Sequence, residues 1–426
     1  MKKTLYDDYV NILKEELLPA MGCTEPIAVA YAAALARNAL GALPERVEVA
    51  VSGNILKNVK SVIVPGTGGL KGVISAAAAG IVAGQEDKKL EVLSLLTDDD
   101  REEIKKYLLT TPFTVEPSSS GCIFDIEVKV FRGGDHASAR IEGHHTNVVE
   151  ITRNGEKLLN KEWASEDADE GMTDRTTLTV KDIIEFADEV DIADIEEVVK
   201  RQLAYNGAIA EEGLKNDYGA RVGKVLLDSF GKEVHNLAKA TAAAGSDARM
   251  NGCSLPVVIV SGSGNQGMTA SLPVKVYAEH MHASEDKLLR AVVLSDLVTV
   301  HLKTGIGRLS AYCGAVSAGA GAGAGIAYLC GGGFEEISHT IVNALAITSG
   351  LICDGAKSSC AAKIAAAVDA GIMGYEMFKR GSQFYGGDGI LLHGVENTIE
   401  NVSDLARVGM KETDEEIIRL MVKELK

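Results

Sequence analysis

The 426-residue chain sets 43 Lys and Arg against 60 Asp and Glu, a formal charge of −17, which argues against a nucleic-acid backbone or an anionic membrane surface as main partner, because both are held by basic patches. Apolar residues make up 46% and charged residues 24%, the composition of a cored globular protein rather than a disordered one, so a small molecule is the expected ligand. Seven Cys without a dense framework, and no apolar leader after Met1-Lys2-Lys3, point to a reducing cytoplasm and free thiols.

The chain opens with Tyr9, Ile12, Leu13 and Leu17 at helical spacing, and Pro19 and Pro26 then bracket a break at Met21-Gly22-Cys23-Thr24-Glu25. An Ala-rich helix is predicted from Ile27 to about Leu40, with Cys23 just before its start. There the macrodipole favours a thiolate and a lowered pKa, although a thiol that merely fills space fits the same local sequence. From Glu45 the pattern alternates, with Val47, Val49 and Val51 and then Val59, Val62 and Val64, before Gly66-Thr67-Gly68-Gly69 opens an Ala/Gly helix to about Gly84. Runs at Ile123 to Phe131, Ser138 to Glu142 and Val148 to Thr152 read as antiparallel strands, the first two joined by a turn at Arg132-Gly133-Gly134-Asp135.

The charged stretch Lys161 to Arg175 reads as a linker or exposed loop. Beyond it nearly everything is helical: amphipathic helices over 179 to 215, an Ala-rich pair through Ala244, long apolar helices to Met377, and a closing helix from Glu415 to Leu425. The expected fold is therefore α+β, a large all-α body (1–44 and 161–426) with a smaller α/β domain (45–160) inserted after the first helices. Leu309 to Phe334 lacks charge and is long enough to cross a bilayer. Its Ala, Gly and Ser content, however, fits close helix packing and not a membrane span.

After the apolar run Leu255 to Val260, Gly262-Ser263-Gly264-Asn265-Gln266-Gly267 satisfies the dinucleotide pattern G-x-G-x-x-G. Pro273 interrupts the continuation and no acidic second strand follows, so a nicotinamide site is disfavoured. A loop with Ser261, Ser263, Gly264, Asn265 and Gln266 can instead hold a small carboxylate through amide donors. Cys313, Cys353 and Cys360 each sit among Gly, Ala or Ser. They admit two readings: packed core thiols, or three ligands of an iron-sulfur cluster with one iron left open. Cys122, Cys253 and Cys330 read as packed thiols, with Cys253 near enough to the glycine loop to line a site. His280 and His282 do not share a helix face, His144-His145 lies in a turn without a second ligand pair, and His393 reads as a core residue. Lys303 and Lys357 stand alone in apolar surroundings and are expected to bind a carboxylate or pair with an acid.

Met21-Gly22-Cys23-Thr24-Glu25-Pro26, Asn251-Gly252-Cys253-Ser254-Leu255-Pro256, the 261–267 loop and the three late cysteines closely resemble the L-cysteine desulfidase family, a relative of the iron-sulfur L-serine dehydratases, nearly end to end. The resemblance implies a 4Fe-4S cluster held by Cys313, Cys353 and Cys360, Cys23 as the base on the substrate α-carbon, and β-elimination of a small amino acid without pyridoxal phosphate. It also relates the α/β insert to the smaller domain of those dehydratases, through Pro65-Gly66-Thr67-Gly68-Gly69 and His145-Thr146-Asn147, where the dehydratase Pro is missing. The expected protein is an oxygen-sensitive cytoplasmic homodimer that cleaves L-cysteine. L-serine dehydration and a non-catalytic amino-acid binding protein are its alternatives.

Overall fold

The computed structural model describes residues 1–161, 172–307 and 310–422. Most of the charged stretch 161–175, Leu309, and the end of the closing helix lie outside the described residues. The chain begins with α1 (Lys3–Glu16), the short β1 (Pro19–Met21) and α2 (Thr24–Leu40). β2 (Arg46–Val51), α3 (Gly53–Val59), α4 (Gly72–Ala83) and α5 (Asp98–Thr110) follow. β3 (Phe113–Pro117), β4 (Asp125–Arg132), β5 (Asp135–Glu142), β6 (Val148–Arg153) and β7 (Glu156–Asn160) complete a six-stranded sheet of order β3-β2-β4-β5-β6-β7.

Only β2 and β3 run parallel; the other neighbours are antiparallel. The alternation at Val47, Val49 and Val51 is real, and these three side chains are buried on one face. The Val59, Val62, Val64 run is not a strand. Ser52 ends β2 and its Oγ accepts the Ile55 amide, which starts α3 instead. β3, whose sequence ends at Pro117, has an inner face too little buried to announce itself. α2 departs from the expected division at residue 44. Ile27, Tyr31 and Leu40 pack with the sheet valines and with α4 in one core, whereas α1 packs with the later helices. An all-round apolar helix has no polar face to keep outward, and α2 is buried between the sheet and α4.

The helical body comprises α6 (Val180–Glu189), α7 (Ile192–Lys215), α8 (Val222–Phe230), α9 (Val234–Met250), the short β8 (Pro256–Val258), α10 (Gly264–His280) and α11 (Glu285–Ile306). α12 (Gly314–Leu329), α13 (Phe334–Thr348), α14 (Cys360–Lys379), α15 (Val395–Asp404) and α16 (Lys411–Val422) finish it. Pro273 does not break α10, because Met268 to Val274 are buried and packing holds the turn whose hydrogen bond proline removes. Of the described residues, no helix is long and apolar enough to cross a membrane. The Gly/Ala stretch is a packing surface. A methyl on Gly319 would overlap the Ala367 carbonyl, and one on Gly371 the Gly319 carbonyl, while Gly323 faces Gly371. Rising numbers on α12 thus meet rising numbers on α14, so the two helices run parallel. On its other side Gly325 meets Ala291 and Ser295, and Gly321 meets Ser295 and Thr299, which makes α11 antiparallel to α12.

Inside this body Asp296 is fully buried. Its Oδ1 accepts from Gln202 Nε2 at 2.9 Å and its Oδ2 has no partner. Burial pushes its pKa up to about 8, against which the Gln202 bond works. The folded state therefore holds this proton where the unfolded chain releases it, so stability falls as pH rises from the ordinary carboxylate range toward 8. Asp296→Asn is expected to flatten that decline, matching wild type near pH 4 and exceeding it above neutrality. Urea unfolding at several pH values checks this; a wild-type slope in the variant would reject Asp296 as its source.

Candidate active site

The two-stranded sheet is the foundation of the site. β1 pairs antiparallel with β8, Pro19 opposite Val258 and Met21 opposite Pro256, so the loop leaving β1 and the loop leaving β8 are held side by side. The first carries Cys23 at the N-cap of α2 and the second is the glycine loop. Thr24 Oγ1 donates to the Gly262 carbonyl at 3.3 Å and Arg249 Nε to the Gly22 carbonyl at 2.8 Å. Glu16, at the end of α1, accepts the Ser261 amide at 2.9 Å and is itself clamped by Arg175. Gly22 has a left-handed φ of 56° and sits against Pro65, where a side chain would collide.

Cys23 is 3% exposed. Its Sγ donates to Glu25 Oε2 at 3.3 Å, and Thr24 Oγ1 donates to the same oxygen at 3.0 Å. The helix-start argument for a lowered pKa is overturned here. Burial raises the thiol pKa well above its usual value and Glu25 adds to that, while Arg249 opposes it. Glu25 Oε2 stands beside the thiol as its acceptor. Cys23 also shares a small apolar cluster with Val62, Met250, Ala356 and Cys360, which puts it at the late cysteines.

The three late cysteines converge through main chain and helix register. Tyr312 and Ile352 form an isolated antiparallel bridge. The Cys313 amide reaches the Leu351 carbonyl at 3.2 Å and the Cys353 amide the Ala311 carbonyl at 2.6 Å. Cys313 caps α12 and Cys360 is the first residue of α14. Since these helices run parallel, with Gly319 opposite Ala367, the two thiols lie at the same end. Burial pushes the Cys313 thiol up to about 12, with Cys353 and Cys360 adding to it, and burial likewise raises Cys360. All three are free thiols.

The glycine loop meets this set directly, for a methyl on Gly314 would strike the Gln266 amide. Asn265 Oδ1 and Gln266 Oε1 are buried acceptors with no partner, while Gln266 Nε2 reaches the Ser261 carbonyl at 3.5 Å. The loop thus differs from the expected nest of free donors: the Ser261 amide is used by Glu16, the Ser263 amide closes a turn on Val260, and Gly264 starts α10 against Val257 and Arg249.

Arg249 escaped the sequence reading, and His145 was named in it without its place at the site. Arg249 is 3% exposed and stands between Gly22 and Gly264, acting electrostatically on both Cys23 and His145. Its position just before Met250-Asn251-Gly252-Cys253 was the available signal. His145, read as a turn residue, reaches from the α/β unit to within 3.8 Å of the Cβ position of Gly262, packed edge-on against Phe124. Its Nε2 is buried without a partner, and burial lowers its pKa. The His145-Thr146-Asn147 resemblance was the available signal for the residue, though not for its approach to the glycine loop. Other expectations are corrected: His393 and Cys330 are exposed, because the loop after α14 and the end of α12 both face outward. Cys253 is buried beside Tyr218 and Cys122 is half-buried. Lys357 pairs with Asp354, which also binds Lys363, and these lysines hold the Asp354 carboxyl down near 2 against its burial. Lys303 is buried, which pushes its pKa down to about 8 against the pull of Cys353 and Cys313.

Among the described residues no three His, Cys, Asp or Glu side chains close on one point as mononuclear ligands do. A cluster spreads its thiolate ligands over several irons, and three soft, carboxylate-free donors are what iron-sulfur centres take.

A family model described as "Serine dehydratase alpha chain" matches residues 87–419. A UPF0597 protein of Desulfitobacterium hafniense is 58% identical over 98% of this chain and 97% of its own. One of Lachnoclostridium phytofermentans is 48% identical over 98% and 100%, and one of Treponema denticola is 44% identical over 100% of each. With a match that runs through the glycine loop and all three late cysteines, the chain belongs to the serine dehydratase alpha chain family.

Proposed function

We propose that this protein is an iron-sulfur lyase that eliminates the β-substituent of a small L-amino acid, with L-cysteine as substrate and sulfide, ammonia and pyruvate as products. The observation that supports it best is the meeting of Cys23, the glycine loop and Cys313, Cys353 and Cys360 at one place between the α/β unit and the helical body. The three thiolates would hold a 4Fe-4S cluster, whose open iron supplies a Lewis acid for the substrate carboxylate and leaving group.

The protein's own groups account for the rest. Arg249 carries the fork suited to a carboxylate, and Asn265 Oδ1 and Gln266 Oε1 are acceptors suited to the α-ammonium. Cys23 passes its proton to Glu25, 3.3 Å away, and the thiolate takes the α-proton. The electron pair left on the α-carbon forms the double bond as the β-sulfur departs as sulfide. The released aminoacrylate tautomerises to the imine, which water converts to pyruvate and ammonia.

Serine is the second reading, favoured by the description of the matched family; it differs in losing hydroxide rather than sulfide. Protein reconstituted without oxygen is expected to hold about four iron and four acid-labile sulfide per chain and to release sulfide from cysteine faster than pyruvate from serine. Faster serine turnover would transfer the assignment to the dehydratase, and absence of iron uptake would remove the cluster chemistry altogether.

A further inference from the structure

α11 delivers one more group to the thiol end of α12. Gly325 lies level with Ala291 and Ser295, and Gly321 with Ser295 and Thr299. One turn further along this antiparallel pair, Lys303 stands level with Ser317, and Cys313 lies one turn beyond Ser317 on α12. Lys303 is 6% exposed, and its ammonium has no hydrogen-bond or carboxylate partner among the described residues. The Ser317 hydroxyl is buried without a partner too.

Among the described residues the neighbouring cations have carboxylate partners, although two of them divide a single one, which leaves one net positive charge beside Cys313 and Cys360. Lys57, buried in α3, is paired with Asp414 of α16, and Lys357 and Lys363 share Asp354. A largely buried ammonium without a carboxylate partner is costly, so its retention points to an anion that belongs there. Among the described residues no carboxylate is paired with Lys303, whereas Cys353 and Cys313 act on it. An oxidised 4Fe-4S core carries two positive charges, and three thiolates turn the assembly into a single negative one. A buried net charge is stabilised by fixed opposite charges around it.

We propose that Lys303 is a buried counter-charge of the Cys313, Cys353 and Cys360 thiolate set, acting beside the Lys357–Asp354–Lys363 group to set the retention and reduction potential of the loaded centre. The inference rests on the cluster reading above and assigns this lysine a task distinct from contact with the substrate.

The test compares wild type, Lys303→Met and Lys303→Arg, each prepared metal-free and then reconstituted without oxygen. Two readouts are expected to move in opposite directions. Metal-free Lys303→Met melts higher than metal-free wild type, because an unpaired buried charge has gone. Loaded Lys303→Met loses iron to a chelator roughly 10-fold faster, the scale of removing a partner of a metal ligand, and its centre has a more negative midpoint potential. Lys303→Arg keeps the charge and restores both the potential and the iron retention toward wild type. Wild type that takes up no iron overturns this inference together with the cluster reading. Wild type that loads, beside a Lys303→Met that loads equally, keeps its iron as long and titrates at the same potential, overturns this inference alone. A raised KM in that variant with an unchanged potential would make Lys303 a substrate contact instead.

Discussion

Replacing Cys23 by Ala is expected to lower kcat by about a thousandfold, within the range lost when a general base is removed, while iron content stays at the wild-type level. The two effects separate because Cys23 and the late cysteines come from different elements. Cys23 is fixed by the β1–β8 pairing and by α2, whereas Cys313, Cys353 and Cys360 are fixed by α12, the Tyr312 bridge and α14. Cys313→Ala is the matching control, expected to lose iron and all turnover together. Cys23→Ser tests the acid-base argument more finely, since a hydroxyl fills the space beside Glu25 yet gives up its proton far less readily than a thiol. Substantial turnover in Cys23→Ala would remove this residue from the chemistry and direct attention to His145, whose Nε2 is buried without a partner beside the glycine loop.

Gly371→Leu is expected to destabilise the protein by about 3 kcal/mol or more, at the upper end of overpacking costs, and to abolish cluster assembly. Even a methyl at this position would overlap the Gly319 carbonyl and press on the Gly323 amide at 3.2 Å. Backbone faces backbone here, so no side chain can swing aside, and α12 and α14 must separate. Since Cys313 precedes one helix and Cys360 begins the other, separation spreads the ligands. Urea unfolding of the metal-free protein and iron analysis of the reconstituted protein provide the check. A variant with the wild-type midpoint and full iron would show that this contact does not set the ligand spacing.

The sequence made these helices legible as a packing surface because the Gly and Ala residues from Gly314 to Gly325 leave room for nothing except another backbone. It also singled out Cys313, Cys353 and Cys360, whose uncharged surroundings are conspicuous and which the fold brings to one end of α12 and α14. The place of α2 was not legible: a helix apolar all round carries no record of which neighbour covers it, and Ile27 and Leu40 suit the sheet as well as the helical body. Burial of Cys23 was hidden for a related reason. A helix start is visible in Cys23-Thr24-Glu25-Pro26, but the packing of Val62, Met250 and Ala356 over the thiol arises from segments distant in the chain. The positions of His145 and Arg249 at the site depend on the same long-range docking, which the short motifs beside them do not record.

The β1–β8 pairing has a consequence for how the molecule comes into being. One strand lies near the start of the chain and the other well past its middle, so closing this ladder carries the entropy of a very long loop and is slow by topology. The sheet of the α/β unit is built from strands near one another in sequence, β2 to β7, and can assemble while the chain is still being synthesised. The Cys23 loop cannot dock until β8 has emerged, and α12 and α14 emerge later still. The thiols that would take iron are therefore made last and meet Cys23 only at the end, which keeps a half-made chain from offering a complete reactive centre.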